Sequence, residues 1–254
     1  MFSFAAIADR RGMESSVNKG FELGLFALIG IVVSGLAEPA IAGDRLAMIS
    51  HHGSSARAYD QPARPLFGME TQPSTGELSS KWQAVEAAIE QEASVLARCR
   101  TEAACPAPAR DFLNIIAEGG GRSGLARVGL INRAVNLAIR PTSDERQWGV
   151  ADRWSAPFET LNTRRGDCED YAILKYAALL EAGLSRDDVK IVVLRNFVRN
   201  EDHAVLAARV DGEWRILDNR NLVLVREADL VGAHPIFVLD RDGAHRFVSL
   251  HRAG

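Results

Sequence analysis

Three residues of this chain have side chains of the types that form a cysteine nucleophile and the two groups that activate it. Cys168 follows a glycine in the segment Arg-Arg-Gly-Asp-Cys-Glu-Asp-Tyr, which begins at Arg164 and leads into an amphipathic pattern. His203 and then Asp218 lie downstream. Thiol, imidazole and carboxylate are a nucleophile, its general base and the group that orients the base. The types and order of these residues therefore predict thiol-based acyl chemistry.

A lone cysteine before a helix is also compatible with a packed small side chain, and a hairpin provides a geometric test. Asp211-Gly212 has the composition of a two-residue turn, which places Asp218 opposite Val205 and Arg220 opposite His203. Since His203 and Val205 are on the same face, Asp218 becomes a diagonal neighbour of His203, within hydrogen-bonding reach. A three-residue loop would instead put Asp218 on the other face.

Three carboxylates beside Cys168 oppose formation of its thiolate: Asp167, Glu169 and Asp170. At an effective dielectric constant near 20, one carboxylate about 6 Å away costs roughly 2 to 3 kcal/mol, whereas a helix N-terminus contributes only about 0.3 to 1 kcal/mol. The neighbouring arginines, the imidazolium, or a hard cation on Asp167 and Glu169 would offset the acids, and calcium fits best. Alternatively, Asp167 caps the helix and the other two acids complement its dipole, without a metal.

The remaining histidines do not form a metal-binding pattern. His51 and His52 lie in an irregular segment, and His234, His245 and His251 are expected in turns or in the C-terminal tail. No spacing among them is typical of a zinc site. We therefore do not expect zinc.

Length and composition leave several function classes open. The 254 residues are 47% hydrophobic and 25% charged, which suits one globular domain with a substantial core. The formal net charge is −3, and no basic stripe is present to displace counterions from phosphates. The charge therefore argues against a dedicated nucleic-acid-binding protein, whereas enzymes, binding modules and structural proteins all remain open.

The first 42 residues have the pattern of a secretory signal peptide. Positively charged residues precede an apolar run from Leu23 to Leu36, which is followed by Ala40-Ile41-Ala42. The run is shorter than the roughly 20 residues that a spanning helix needs. Cleavage after Ala42 would release a soluble exported protein, and the alternative is an uncleaved membrane anchor.

Export affects how the three cysteines are interpreted. In an oxidising compartment, paired thiols tend to be oxidised to disulfides. Cys99 and Cys105 flank a short loop at the end of a predicted helix, so we expect them to be bridged; two buried free thiols are the alternative. In either case Cys168 remains single.

The rest of the sequence predicts an α+β fold in which N-terminal helices pack on a C-terminal antiparallel sheet. Residues 43–79 are expected to be an irregular lead-in, and residues 80–254 the folded domain. Helical spacing indicates a first helix capped by Ser79 or Ser80, and Asn132 and Asn136 are expected to make surface or inter-helix hydrogen bonds. The predicted helices are 80–99, 110–117, 125–139 and one from Cys168 to Gly183, and the predicted strands are 190–195, 203–210, 213–218 and 236–240, with turns at 211–212 and 242–243.

The blocks Gly166-Asp167-Cys168-Glu169-Asp170-Tyr171-Ala172, His203-Ala204-Val205-Leu206 and Leu217-Asp218-Asn219 resemble the bacterial transglutaminase-like cysteine peptidases, whose best-known members are the LapG-type periplasmic proteases. The likeness runs from about Trp82 to Val225. It includes Asn132-Arg133-Ala134-Val135-Asn136, and Trp148-Gly149 together with Asp152-Arg153-Trp154. The three main blocks occur in order and at suitable spacing, so the resemblance is specific.

This resemblance implies a papain-like or transglutaminase-like fold, with Cys168 as nucleophile, His203 as general base and Asp218 orienting the imidazole. It also implies calcium at Asp167 and Glu169. Relatives act in the periplasm, cleave a large surface adhesin and so release biofilm, and an inner-membrane cyclic-di-GMP receptor sequesters them. A protein substrate, the adhesin and the receptor are the partners that the resemblance predicts.

Two other functions are compatible with the same residues. One is an acyl transferase of the same fold, in which an amine rather than water resolves the acyl-enzyme. The other is a non-catalytic, calcium-dependent binding module that keeps the triad residues as structure. The reactivity of the Cys168 thiol separates the enzymes from the binding module.

Overall fold

The computed structural model describes residues 64–101, 104–197 and 199–248. The expected signal peptide, 1–42, lies outside these residues, as does the lead-in up to residue 63. Of the helices in the described ranges, none combines the length and the apolar character that crossing a bilayer requires.

Helices occupy the first part of the described chain. The helix α6 is central, since it packs against α2, α3 and α5 on one side and against the two central strands of the sheet on the other. Its residues from Glu169 to Leu179 are consequently buried on every side. The helices are α1 (Glu77–Cys99), α2 (Ala107–Glu118), α3 (Gly124–Ala138), α4 (Asp144–Trp148), α5 (Pro157–Thr163) and α6 (Cys168–Glu181).

A seven-stranded antiparallel sheet forms the other layer, in the order β1-β9-β8-β4-β5-β6-β7. Two further short strands, β2 and β3, pair in parallel near the start of α6. The strands are β1 (Glu70–Pro73), β2 (Arg140–Pro141), β3 (Arg165–Gly166), β4 (Val189–Asn196), β5 (Glu201–Val210), β6 (Glu213–Leu217), β7 (Val225–Arg226), β8 (Ala233–Asp240) and β9 (Gly243–Val248). The predicted α+β class, with helices on an antiparallel sheet, is confirmed.

The core lies between the helices and one face of the sheet. Trp82 of α1 is fully buried, and its indole meets the ring of Tyr176 edge to face at 5.2 Å. The Trp82 Nε1–H donates to the carbonyl of Asp240, which ties α1 to the end of β8. These contacts fix the helical layer, and with it α6, on the sheet.

The N-terminal edge differs from the sequence prediction. Residues 43–79 were expected to be irregular, but β1 pairs with β9 along the sheet edge, and Phe67 packs edge to face on Phe247 at 5.7 Å. Every residue of β1 is exposed, so the strand has no apolar alternation for a sequence pattern to detect. In addition, α1 begins at Glu77 after Gly76, whose φ of 103° suits glycine, and not with Ser79 or Ser80 as the cap.

Near the C-terminus, two histidines that were expected in turns or in the tail lie in strands. His234 lies in β8 and His245 in β9, because the second hairpin extends to Val248. Asp240 pairs with Gly243, so the loop residues are Arg241 and Asp242, one position earlier than expected. The first hairpin has its loop at Asp211-Gly212, as predicted.

Candidate active site

Cys168 is the first residue of α6, and short-range structure on its N-terminal side fixes its place. The segment before Cys168 is held by the parallel pairing of β2 with β3. Asp167, which lies between β3 and Cys168, has an extended backbone, and its side chain does not cap the helix. Gly166 is buried, and a Cβ there would lie 2.7 Å from the Cβ of Asp170. Only glycine therefore permits this approach between β3 and the first turn of α6.

The thiol of Cys168 is half-buried between the helix and the sheet. The backbone N–H of Ala204, the residue after His203, is close enough to the sulfur to lower the pKa of the thiol. The thiol in turn donates to Oε2 of Glu169 at 3.0 Å. Burial raises the pKa of Cys168 well above its usual value, and the charges of Glu169 and Asp167 raise it further. The acids therefore oppose the thiolate, as the sequence predicted.

His203 and Asp218 are brought together by the predicted hairpin register. Asp211 and Gly212 have φ of 53° and 80°, the combination that a two-residue turn of type I′ needs. His203 Nε2 lies 2.8 Å from Oδ1 of Asp218. The other ring nitrogen, Nδ1, is buried and has no partner among the described residues, so it is the nitrogen available for a proton from a thiol.

Asp218 itself lies just beyond the end of β6, where the chain turns. Burial opposes its ionisation, but the hydrogen bond and charge of His203 and the N–H of Arg220, 3.0 Å from Oδ1, hold the pKa of Asp218 below its usual value. Because β6 ends at Leu217, Arg220 is not paired opposite His203, contrary to the extended register. The turn thus supplies a backbone donor to the carboxylate.

Two asparagines of α3 hold the loop that carries Asp218. Asn136 Nδ2 donates to the carbonyls of Asp218, at 2.9 Å, and Asn221, at 3.0 Å. Asn132 is fully buried and donates to the carbonyls of Asn221 and Leu222 at 3.4 and 3.3 Å. The sequence predicted surface or inter-helix hydrogen bonds here. Their spacing of four on one helix face was the available signal for a shared loop partner.

A third carboxylate joins the two predicted metal ligands. Oxygen atoms of Asp144, Asp167 and Glu169 all lie within 4.8 Å of one another. Asp144 is buried and accepts the N–H of Arg153. The sequence did not indicate Asp144, because 23 positions separate it from Asp167 and only the β2–β3 pair brings α4 to the start of α6.

The oxygens of this cluster have the chemistry of a cation site. Oδ1 of Asp167 and Oε1 of Glu169 are buried without a partner among the described residues. Burial raises the pKa of Asp167 to about 7, and Asp144 and Asp152 add to the rise. Buried, unpaired carboxylate oxygens are costly unless neutralised by protons or by a cation. Hard oxygen ligands of this kind fit calcium.

A cavity of about 280 Å³ lies beside the strand that carries His203. Its walls include Trp154, Val193 and Asp202, the residue before His203. Trp154 is half-buried and also packs against the core. The loop that leads to the cysteine therefore contributes both to packing and to a concave surface.

The cysteines divide as expected. Cys99 and Cys105 form a disulfide that joins the end of α1 to the segment before α2. Cys168 is free. The predicted pairing is confirmed, and the only thiol of the described chain that remains available is the one at the start of α6.

Comparison with known proteins places these features in a family. The model of the bacterial transglutaminase-like cysteine proteinases matches residues 99–229, a range that contains Cys168, His203, Asp218 and the three clustered carboxylates. No curated protein matches the chain.

Solved structures similar to this chain include Legionella pneumophila LapG, at 21% identity and a TM-score of 0.49, covering 64% of this chain and 87% of that one. Calcium-bound LapG of the same organism has 20% identity, a TM-score of 0.47 and coverages of 62% and 87%. A putative cysteine protease from Cytophaga hutchinsonii has 20% identity, a TM-score of 0.37 and coverages of 56% and 52%. Because the family model matches about half of the chain, this protein belongs to the bacterial transglutaminase-like cysteine proteinase family.

Proposed function

We propose that this protein is a calcium-dependent cysteine endopeptidase of the periplasm that uses Cys168, His203 and Asp218 as its triad. The observation that carries the proposal is the 2.8 Å contact between His203 Nε2 and Asp218 Oδ1, which leaves Nδ1 buried and without a partner in the described part of the chain. The half-buried thiol of Cys168 lies near the backbone N–H of Ala204, the residue after His203, which lowers the pKa of the thiol. Nucleophile, base and orienting carboxylate are the parts that acyl chemistry needs.

The proposed mechanism follows from these positions. Nδ1 of His203 takes the thiol proton of Cys168, and the sulfur attacks the peptide carbonyl carbon. The backbone N–H of Cys168 has no partner within its helix, since it is at the first position, and donates to the oxyanion. The C–N bond then breaks, the imidazolium of His203 gives its proton to the leaving amine, and a thioester to Cys168 remains.

Water completes the reaction. His203 removes one proton from the water as its oxygen attacks the thioester carbonyl, and the C–S bond breaks to give the acid and the thiolate of Cys168. Asp218 stabilises the imidazolium and orients the ring throughout. The cavity lined by Trp154 and Val193, beside the strand that carries His203, offers room for a substrate side chain.

The calcium part of the proposal rests on Asp144, Asp167 and Glu169. These residues would hold the ion, which supplies positive charge that neutralises the carboxylates beside the thiol. The bare acids raise the pKa of Cys168, so their neutralisation favours the thiolate. A relative of low identity, Legionella pneumophila LapG, has been solved in calcium-bound and EGTA-treated forms, which agrees with this assignment.

The biological setting proposed is the periplasm, after removal of residues 1–42. The substrate would be an exported protein, of which a large surface adhesin whose cleavage releases biofilm is the first candidate. An inner-membrane cyclic-di-GMP receptor is the proposed regulator. These assignments follow from the family resemblance of the cysteine and histidine blocks.

The test uses peptide libraries and intact exported proteins with the parent and with Cys168→Ala, and mass spectrometry reads the new termini. We expect cleavage by the parent in calcium, none by Cys168→Ala, and a loss of at least about 100-fold in EGTA. Products carrying an added amine would show a transferase instead. Iodoacetamide labelling is the control: a Cys168 that fails to react at pH 6 to 9 with calcium, in a folded protein, favours the binding module.

A further inference from the structure

Lys175 is an unusual component of the central helix. It is fully buried, the only lysine among the buried residues of the described chain. It lies seven residues after Cys168, so the two side chains are two turns apart on the same face of α6. Lysine is almost never fully buried unless it is paired, and the proposed mechanism does not require this amine.

The surroundings of Lys175 direct it toward Asp218. Its Nζ donates to the carbonyl of Leu217, the last residue of β6, over a long 3.5 Å. The carboxylate of Asp218, the next residue, is the charge that favours the ammonium form. On its own helix, Nζ lies 5.8 Å from the ring centre of Tyr171. Lys175 thus contacts the last residue of β6, directly before the acid of the proposed triad.

This arrangement does not favour folding. An amine with one long hydrogen bond in the core loses its hydration, and burial lowers the pKa of Lys175 to about 7, although Asp218 opposes the shift. Replacement of buried charged groups by apolar ones of similar volume is often neutral or stabilising. A methionine would fill this space without the cost, so packing alone does not explain the lysine.

We propose that Lys175 is a positioning residue of the proposed triad, which anchors the end of β6 and partly neutralises Asp218 so that the affinity of His203 for its proton is limited. This rests on the proposed function, in which His203 must be able both to take and to give a proton. Without the ammonium, Asp218 would stabilise the imidazolium more strongly. His203 would then hold its proton to higher pH.

Other charged and titratable groups near His203 are already compensated or are removed in the test. Arg220 pairs with Glu201 at 2.7 Å, and Arg195 with Asp202 at 2.9 Å. The thiol of the nucleophile is replaced in the test. The charged and titratable groups around His203 and its partner Asp218 are therefore Lys175 from α6 and Arg220 from the loop after β6, both beside Asp218, the Arg195–Asp202 pair at the neighbouring positions of β4 and β5, and Cys168, which lies near the residue after His203.

The experiment is an NMR titration of histidine-labelled full chain in a Cys168→Ala background, with the His203 signal assigned by its loss in His203→Gln. We expect Lys175→Met to raise the pKa of His203 by up to about one unit, the effect that a full unit charge would have at roughly 10 Å and a dielectric constant near 20, because Lys175 is only partly protonated near pH 7. The matched control is Lys190→Met, which removes an ammonium paired with Asp240. It should leave the His203 pKa unchanged.

Thermal unfolding of the same variants separates the two roles of the lysine. We expect Lys175→Met to unfold at the same or a higher temperature than its parent. A lower Tm with an unchanged His203 pKa would make Lys175 a structural anchor and overturn the proposal. If Lys175→Met does not fold, Lys175→Gln replaces it, and failure of both to fold counts against the proposal too. The titration needs no cleavage, so it stands apart from the test of the peptidase function.

Discussion

The structure adds Asp144 to the proposed calcium ligands, whereas the sequence indicated only Asp167 and Glu169. Replacing Asp144 therefore tests the part of the site that only the structure shows. Asp144→Asn keeps the shape of the side chain and an oxygen to accept the N–H of Arg153. It removes one of the three acids whose oxygen atoms lie within 4.8 Å of one another. Two ionised carboxylates at that separation repel by about 3 to 4 kcal/mol at an effective dielectric constant near 20.

Two opposite effects on stability follow. In EGTA, Asp144→Asn should unfold at the same or a higher temperature than the parent, because repulsion within the buried cluster is relieved. Added calcium should raise the free energy of unfolding of Asp144→Asn by less than it raises that of the parent. At about 100 times the parent Kd, calcium stabilises the parent by about 2.7 kcal/mol, and a hundredfold weaker site would leave only about 0.4 kcal/mol.

The assay is thermal unfolding with and without calcium, together with calorimetric titration, in a Cys168→Ala background. Asp111→Asn is the matched control, because Asp111 is an acid in a surface pair with Arg164 and lies outside the cluster. It should leave the calcium gain unchanged. If Asp144→Asn binds calcium as tightly as its parent, the three-carboxylate site is refuted, even if Asp167 and Glu169 still bind the ion.

Two further substitutions test the helical layer. Burial raises the pKa of Glu92 to about 7 while the N–H of Phe158 donates to it at 3.0 Å; the folded protein binds this proton more tightly than the unfolded chain, so stability falls as pH rises from about 4.5 to about 7. Glu92→Gln should therefore add about 1 to 2 kcal/mol at pH 8 and almost nothing at pH 4, measured by urea unfolding. Gly166→Ala would force a Cβ against Asp170 and should lower the free energy of unfolding by about 1 to 3 kcal/mol in the same measurement. In the control Gly129→Ala, the new Cβ makes only an ordinary contact, so the substitution should be neutral or stabilising. Equal effects of the two substitutions would contradict the close approach of β3 and α6.

The sequence could predict the His203–Asp218 contact because its determinants are local. Asp211-Gly212 is a dipeptide that accepts positive φ at both positions, and a two-residue loop then fixes which residues face each other across β5 and β6. The start of α6 was predictable for the same reason, since glycine, cysteine and acids stand directly before an apolar pattern. Local chemistry of this kind needs no knowledge of the rest of the fold.

Asp144 and Lys175 could not be predicted in the same way. Asp144 resembles an ordinary acid in the first turn of a helix. It lies close to Asp167 only because β2 and β3, which are far apart in the sequence, pair with each other. Lys175 occupies an apolar face in the sequence pattern, where a long side chain can equally extend to water. Its burial depends on α3 and β5 covering both sides of α6. Both are consequences of tertiary packing, which leaves no local pattern.

The two halves of the site are held by different parts of the fold, and this separates what controls them. Cys168 is positioned by β3 and by the carboxylates of α4 and α6, whereas Asp218 is positioned by the β5–β6 register, by Asn136 and by Lys175. Charge changes in the carboxylate cluster should therefore act mainly on the thiol, and charge changes at Lys175 mainly on the imidazole. A cation at the cluster would favour the thiolate, while the affinity of His203 for its proton remains set by Lys175, two turns further along α6.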